Sequence, residues 1–247
     1  MREMTTPLFR ARLAQGAGDI LRAQSLRTLA FRRPAGSLDA DQFDSGLRHV
    51  MIETREGALV ATFRTAVFDA GDDLSKSYAA QHYDLSIFGA QPGRKAEVGR
   101  LCLHPKADHP DILRLCWAML AQLVVGQGLG HLFGCTSFSG SDPAGHSGAF
   151  AHLADHALGP PHLRPSARSA NRIPLAGLQA DPKGIPNLLR FYLGLGGWVA
   201  DHAIIDTDLD TVHVFTALDL SALSPSKASV LVSMAERFKE DEFLRPR

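Results

Sequence analysis

The apolar positions of this chain recur at two spacings, and together they predict an alternation of helices and strands. Apolar side chains fall every three or four positions over residues 20–31, which is typical of an amphipathic helix. Residues 49–54 and 58–67 have the pattern of two strands, and the short loop 55–57 between them favours a hairpin. The same patterns predict strands over 96–104, 131–138, 198–205 and 212–218, and helices over 112–126, 149–157, 186–195 and 227–238. This order favours an α/β (α+β) fold, with a mixed central β-sheet flanked by helices on both faces.

The length and composition of the chain limit how many domains it can form and which classes of partner it can have. With 247 residues, 45% of them hydrophobic, the chain can build one large core. We therefore predict a single domain over 1–247, with 1–19 and 225–247 as peripheral or terminal extensions. Lys plus Arg and Asp plus Glu number 26 each, so no global field favours nucleic acid as a partner.

The cysteines and the apolar runs indicate the setting in which the protein works. Cys102, Cys116 and Cys135 show neither metal-ligand spacing nor a disulfide framework, so we expect no metal site and a reduced, cytoplasmic setting. No apolar run of the sequence approaches the roughly 18 residues that span a bilayer. Peripheral contact with the inner face of the cell membrane stays open, since an amphipathic surface helix would be enough for it.

Chemically useful side chains are concentrated in the strand predicted over 96–104. Alternation places Glu97 on one face, and Arg100, Cys102 and His104 on the other. A strand that carries an acid, an arginine, a thiol and an imidazole is poorly suited to plain core. The helix that follows offers free N–H groups at its start, an arrangement typical of a site for an anionic ligand.

Short motifs and longer runs follow one another along the chain in a recognisable order. The short motifs are Arg27-x-x-x-Phe31, Asp41-Gln42-Phe43-Asp44 and Glu97-x-x-Arg100. The longer runs are Asp84-Leu85-Ser86, Glu97-Val98-Gly99-Arg100-Leu101-Cys102-Leu103-His104-Pro105, Leu115-Cys116-Trp117-Ala118, Gly134-Cys135-Thr136-Ser137-Phe138 and Pro186-x-Leu188-Leu189-x-x-Tyr192-Leu193-x-Leu195-Gly196. From about Gln24 to Leu220 the chain resembles the ornithine N-α-acyltransferase family, a group of the GNAT superfamily related to acyl-homoserine-lactone synthases.

This resemblance implies a GNAT acyltransferase fold and a specific reaction. The expected enzyme moves a long-chain 3-hydroxyacyl group from acyl carrier protein to the α-amino group of L-ornithine, the first step of ornithine-lipid synthesis. The donor would be carried on the phosphopantetheine arm of acyl carrier protein, so no separate cofactor is expected. The loop 106–111 contains no glycine and carries Asp108 and Asp111, which agrees with a donor that lacks the pyrophosphate of coenzyme A.

The resemblance also implies roles for individual side chains. Glu97 is the expected base, acting directly or through a water, and Arg100 is the second expected catalytic residue. Arg100 would hold a substrate carboxylate or clamp the loop that carries Asp41 and Asp44, because its planar fork suits carboxylates. The expected substrate-binding residues are Arg27, Phe31, Asp41, Asp44, Cys102, His104, Cys135, Ser137 and Phe138.

Each of these residues also has a structural alternative. Glu97 would pair with a basic side chain such as Arg64, and Arg27 would pair with Asp44. His104 would cap the strand before a proline, and Cys102 would be a packed thiol. The segment 135–138 would be ordinary core.

Departures from the family pattern leave two other functions open. The lactone synthases carry a tryptophan that is absent between Phe31 and Asp41 here, which argues against an acyl-homoserine-lactone (autoinducer) synthase. A non-catalytic protein that binds acyl chains or acyl carrier protein is the other alternative. Residues 198–206 also depart from the ornithine group, which leaves the acceptor open. Candidate basic residues for docking acidic acyl carrier protein are Arg94, Lys95, Arg164, Arg168, Arg172 and Lys183.

Overall fold

The computed structural model describes residues 1–31, 36–177 and 179–236, and it contains strands and helices in alternation. The strands are β1 (Met4–Thr5), β2 (Phe9–Leu13), β3 (Arg48–Thr54), β4 (Leu59–Phe68), β5 (Tyr83–Asp84), β6 (Arg94–Leu103), β7 (Leu129–Ser139), β8 (Ser166–Ala167), β9 (Arg172–Pro174), β10 (Trp198–Asp206) and β11 (Thr211–Asp219). The helices are α1 (Gly16–Ala30), α2 (Ser86–Gly89), α3 (Pro110–Gln127), α4 (Ser147–His156), α5 (Asn187–Leu195) and α6 (Pro225–Glu236). Within the described residues, every strand and helix predicted from spacing is confirmed, with ends shifted by a few residues; residues 237 and 238 of the last predicted helix lie outside them.

The chain divides into two compact units, of which the first comprises the described parts of 1–66, 100–129 and 224–247. Its strands follow the hydrogen-bonded order β1-β2-β3-β4-β6, and the pairs β1–β2, β2–β3 and β3–β4 are antiparallel. Helix α3 packs against β2, β3 and α6. Residues 4–13 therefore form two strands of the sheet, and residues 225–236 form a helix packed on α3.

The local sequence explains where the long helix α3 begins and ends. The His109 side chain accepts a hydrogen bond from the Asp111 backbone N–H, and Pro110 occupies the first turn, where its missing N–H costs nothing. Gly128 ends the helix with φ of 59°, the left-handed conformation that glycine adopts readily. Among the helices that the structure describes, α3 included, none is both long and apolar enough to cross a membrane.

The second unit comprises the described parts of 67–99 and 130–223, and it contains the parallel strand pair of the mixed sheet. Its strands follow the order β6-β7-β11-β10-β9, with β7–β11, β11–β10 and β10–β9 antiparallel. Gly130 lies against the Arg94 carbonyl, and Gly134 lies against the Val98 carbonyl, so β6 and β7 run in the same direction. A Cβ on Gly134 would lie only 2.3 Å from the Val98 oxygen, which explains the glycine at this position.

Apolar side chains cover both faces of the sheet in the second unit. Helices α4 and α5 cover one face, where the buried core includes Phe138, Ala149, Phe150, Leu153, Leu189, Val199, Val212 and Val214. On the other face, Phe88 makes edge-to-face contacts with Phe133 and Phe215. Tyr83 packs beside Phe215 on that same face. Residues 77–88 therefore form the cover over this second face.

Candidate active site

The Glu97 carboxylate lies on β6 and is held by backbone amides of the covering segment 77–88. Its Oε2 accepts from the Tyr78 N–H at 2.9 Å and its Oε1 accepts from the Ala79 N–H at 2.7 Å. The residue is only 4% exposed. These two backbone hydrogen bonds fix the orientation of the carboxylate within the fold. Glu97 thus orders the covering segment.

Polar side chains of β7 and β11 share the face that segment 77–88 covers. Ser137 is paired with His213, and Cys135 is paired with Phe215. Because residues directly opposite each other on neighbouring strands point to the same face of the sheet, these four side chains share one face. The Tyr83 hydroxyl reaches this face, where it contacts His213 Nδ1 at 3.3 Å. Cys135 and Ser137 are half-buried, so the face is neither fully apolar nor open to solvent.

The seam between β6, β7 and α5 encloses a small apolar cavity on the opposite face. Val98, Gly134, Leu188 and Tyr192 are among its lining residues, and its volume is about 10 Å³. A space of this size holds about one water molecule. Val98 lines this cavity, so the preceding Glu97 projects from the other side of the strand. In the second unit as described, this seam is closed and offers no room for an acyl chain.

Six charged residues of the first unit form a buried network, called here the arginine–aspartate network: Arg27, Asp39, Asp41, Asp44, Arg64 and Arg100. Arg27 is 1% exposed, and it donates twice to the Asp44 carboxylate, at 2.7 Å each. Arg64 donates to Asp41 twice and to Asp44 once, each at 2.6 Å. Arg100 lies 3.3 Å from both Asp39 and Asp41. The pairing of Arg27 with Asp44 is the structural alternative that the sequence left open.

The network lowers the pKa values of two of its carboxyl groups. Burial by itself would raise the pKa of Asp44, but hydrogen bonds from Arg27, Gln24 and Arg64 hold it well below its ordinary value. The pKa of Asp41 is likewise lowered, because Arg64 and Arg100 outweigh the effect of burial. Both aspartates are therefore charged in the folded protein at neutral pH.

The backbone of β6 departs from regular alternation at Arg100. Its φ is 53°, a left-handed conformation that is uncommon for any residue other than glycine. The backbone is therefore irregular at one position within 96–104, the stretch for which a simple two-residue alternation was predicted. With the backbone in this conformation, the Arg100 guanidinium lies 3.3 Å from Asp39 and 3.3 Å from Asp41.

The other predicted substrate-binding residues of the first unit have ordinary structural partners. Cys102 is buried, and burial raises the pKa of its thiol to about 12, which leaves no thiolate to act as a nucleophile. The His104 Nδ1 accepts from the Lys106 N–H at 3.1 Å, as expected for a residue that caps the strand before Pro105. Phe31 ends α1 and is half-buried.

In the second unit, Phe138 and Lys95 lie in the interior. Phe138 is 2% exposed and packs edge-to-face on Phe150, within the core under α4. Lys95 is 1% exposed and donates to the Gln91 and Gly93 carbonyls, so it is not part of a docking surface. The segment 135–138 thus divides between the two faces of β7.

Sequence reasoning missed a cluster that we call the histidine–aspartate cluster: His82, Asp206 and His213. One nitrogen or oxygen from each residue lies within 4.8 Å of the others. The three residues belong to the covering segment, the end of β10 and the middle of β11, so no sequence spacing connects them. The only signal was a histidine at an alternating position of β11.

Comparisons with known proteins agree with the fold and indicate a family. The family model described as an acetyltransferase (GNAT) domain matches residues 25–118. A protein of Rhodobacter capsulatus named L-ornithine N(alpha)-acyltransferase is 31% identical, over 87% of this chain and 92% of its own length. A protein of the same name from Brucella abortus is 26% identical, over 92% of this chain and 90% of its own.

A solved structure gives a weaker likeness. FeeM, an N-acyl amino acid synthase from uncultured soil microbes, is 11% identical and superposes with a TM-score of 0.47. The match covers 95% of this chain and 100% of that one.

Proposed function

Since this chain belongs to the L-ornithine N(alpha)-acyltransferase family and is an N-acyltransferase, we propose that its acceptor is L-ornithine and its donor a 3-hydroxyacyl thioester on acyl carrier protein. The observation that carries the proposal is the 31% identity to the Rhodobacter protein over 87% of this chain. The product would be an N-α-acylornithine, the lyso form of an ornithine lipid.

The proposed reaction exchanges one bond at the thioester carbonyl carbon. The α-amine of ornithine loses a proton and attacks this carbon, so that a C–N bond forms and negative charge builds on the oxygen. The intermediate then expels the phosphopantetheine sulfur, which breaks the C–S bond. The thiolate takes up a proton, and the amide and the free carrier-protein thiol leave.

Glu97 is the proposed acceptor of the amine proton. Its two oxygens are fixed in position by the Tyr78 and Ala79 amides. General-base assistance of this kind contributes about 10²–10⁴-fold in rate. Cys135 and Ser137 lie half-buried on the neighbouring strand and are proposed to contact the thioester arm.

The arginine–aspartate network is proposed to serve the acceptor side. Asp44 already accepts from Arg27, Arg64, Gln24 and the Asp41 N–H, so it has little capacity left for a substrate. Asp41 also accepts from Arg64, Arg100 and the Phe43 N–H, but its side chain is 21% exposed, so it is the more accessible candidate for contact with a substrate ammonium. Arg100 lies 3.3 Å from Asp39 and from Asp41, and its planar guanidinium is proposed to bind a substrate carboxylate, a partner that this geometry suits.

The start of α3 supports a donor without a nucleotide. The His109 side chain already caps the Asp111 N–H, and Asp111 pairs with Arg114 at 2.8 Å. A carboxylate in the first turn of a helix interacts favourably with the helix dipole, but it repels the negatively charged pyrophosphate of coenzyme A. This arrangement is unlike an anion cradle and favours acyl carrier protein over coenzyme A.

The proposal is tested by donor and acceptor selection with the purified chain. The 3-hydroxyacyl group is supplied either on acyl carrier protein or on coenzyme A, with ornithine, lysine, other amino acids or S-adenosylmethionine as acceptor, and N-acyl products are measured by mass spectrometry. We expect N-acylornithine from the carrier-protein donor. Transfer to another acceptor would overturn the choice of ornithine, and a lactone product would indicate the autoinducer synthase instead.

A further inference from the structure

Two imidazoles and a carboxylate meet in the second unit, on the sheet face that segment 77–88 covers, and none of the three has been assigned a role above. His82 is half-buried, His213 is 1% exposed and Asp206 is 9% exposed. Their nearest nitrogen and oxygen atoms all lie within 4.8 Å of one another. Two imidazole nitrogens and one carboxylate oxygen are a donor set that zinc accepts in proteins.

The hydrogen bonds of Tyr83 determine which nitrogen of His213 carries its proton. The Tyr83 O–H donates to the His213 carbonyl oxygen at 3.2 Å, and a carbonyl can only accept. With the phenol proton on that carbonyl, the 3.3 Å contact with His213 Nδ1 is donated by the imidazole N–H, which is the tautomer that we take for the proposed site.

This tautomer gives His213 the form of a metal ligand. With the proton on Nδ1, the Nε2 atom carries a lone pair. A second hydrogen bond that fixes the ring and the tautomer is typical of histidines that bind metals. Tyr83 is fully buried, so the orientation of the imidazole is set within the fold.

Asp206 supplies a carboxyl group that hydrogen bonds hold in place. Its Oδ1 accepts from the Asp208 and Leu209 N–H groups at 3.1 Å each, and its Oδ2 contacts the Tyr78 hydroxyl at 3.3 Å. In the described part of the chain, these hydrogen-bond donors are all uncharged. A nearly buried carboxylate with neutral partners is stabilised by a cation, because burial of a lone charge is costly.

We propose that His82, Asp206 and His213 bind one divalent transition-metal ion, with zinc as the ion that this donor set fits best. Ligand atoms about 2.0–2.1 Å from a tetrahedral zinc lie about 3.4 Å apart. The candidate ligand atoms lie within 4.8 Å of one another, so side-chain movements of about 1 Å would bring them to this separation. The fourth position would be taken by water. The ion would fix segment 77–88, whose Tyr78 and Ala79 amides hold Glu97, to β10 and β11.

The test is metal binding by the purified full chain after removal of metals with a chelator. His152 and His156 pack their rings 4.7 Å apart on α4 and offer a rival surface site, so both are first replaced by alanine. Co²⁺ is followed by its visible absorption, Zn²⁺ by competition and calorimetry, and thermal unfolding is measured with and without Zn²⁺. We expect one ion per chain, a tetrahedral Co²⁺ spectrum and a higher melting temperature with Zn²⁺.

Variants assign the ion to the cluster. His82→Asn and Asp206→Asn should abolish this binding, and Tyr83→Phe should weaken it by about 10–100-fold, because the variant loses the hydroxyl contact that orients the His213 ring. His202→Ala is the matched control, because His202 also packs beside Tyr83 but bonds to Asp201 at 2.8 Å. Absence of stoichiometric binding, equal binding by His82→Asn, or equal loss in His202→Ala would overturn the proposal.

The metal test is separable from the proposed acyl transfer. Its readouts are stoichiometry, spectrum and melting temperature, none of which needs a substrate. If ornithine alone raised the melting temperature in an Asp206-dependent manner and metals did not, the cluster would be a site for the substrate ammonium, and the metal proposal would fail. Failure of acyl transfer with intact metal binding would instead contradict the proposed function alone.

Discussion

The buried position of Asp44 predicts a large loss of stability for Asp44→Asn. The carboxylate accepts five hydrogen bonds, two from Arg27 and one each from Arg64, Gln24 and the Asp41 N–H. An amide of the same shape removes the negative charge and turns an N–H₂ group toward some of these donors. Breaking one partner of a buried ion pair costs about 3–5 kcal/mol, and we expect a loss in this range.

The matched control is Asp69→Asn, because Asp69 pairs with Arg94 at the same 2.7 Å that separates Arg27 from Asp44. The Asp69 side chain is 71% exposed, whereas that of Asp44 is 5% exposed, so the two pairs differ in burial and not in distance. An exposed ion pair contributes about 0–1 kcal/mol. Urea unfolding followed by circular dichroism gives the free energy of unfolding for each variant. Equal losses in the two variants, or a loss below about 1 kcal/mol for Asp44→Asn, would refute the reasoning.

Three further predictions follow from the same structure. The pKa values of Asp41, Asp44 and Glu53 are lowered on folding, so the unfolded chain binds more protons than the native one in acid. Their contribution is complete above about pH 5 and is lost progressively as the pH falls below it; unfolding by acid should show this loss, with a shallower pH dependence in Asp44→Asn. Gly134→Ala should destabilise the fold by about 1–3 kcal/mol in urea unfolding, because its Cβ would meet the Val98 oxygen at 2.3 Å. Gly130→Ala, whose Cβ would meet nothing closer than 3.5 Å, should be neutral, and similar losses in both would contradict the steric argument. Cys102→Ala should retain acyl transfer, because a buried thiol with a pKa of about 12 supplies no thiolate, and loss of turnover in a folded variant would show otherwise.

Local periodicity was enough to predict most of the fold. The hairpin of β3 and β4 has its turn at Arg55–Gly57, and α3 has both its cap and its terminal glycine in sequence. Strand β2 escaped prediction because its alternating positions include Arg10 and Arg12, which suggest a solvated segment. Both side chains bond to the buried Glu53 on β3, a partner far away in the sequence.

The site was less predictable than the fold, for a physical reason. Arg27, Asp41 and Asp44 were singled out as a group, and the structure brings them together in one buried network. Glu97 accepts hydrogen bonds from the backbone N–H groups of Tyr78 and Ala79, and a pattern of side-chain types along the sequence does not predict such bonds. His213 occupies an alternating strand position where any buried residue would fit, and only the folded chain brings it near Asp206.

The catalytic part of this account depends on Glu97, and turnover of Glu97→Gln tests it most directly. The control is Ser77→Ala, since the Ser77 hydroxyl accepts from the Ala80 N–H in the same covering segment and the change leaves the carboxylate in place. With 3-hydroxyacyl carrier protein and ornithine, kcat should fall by about 10²–10⁴-fold in Glu97→Gln. It should remain close to the wild-type value in Ser77→Ala. A folded Glu97→Gln protein that turns over at the wild-type rate would contradict the role assigned to this carboxylate.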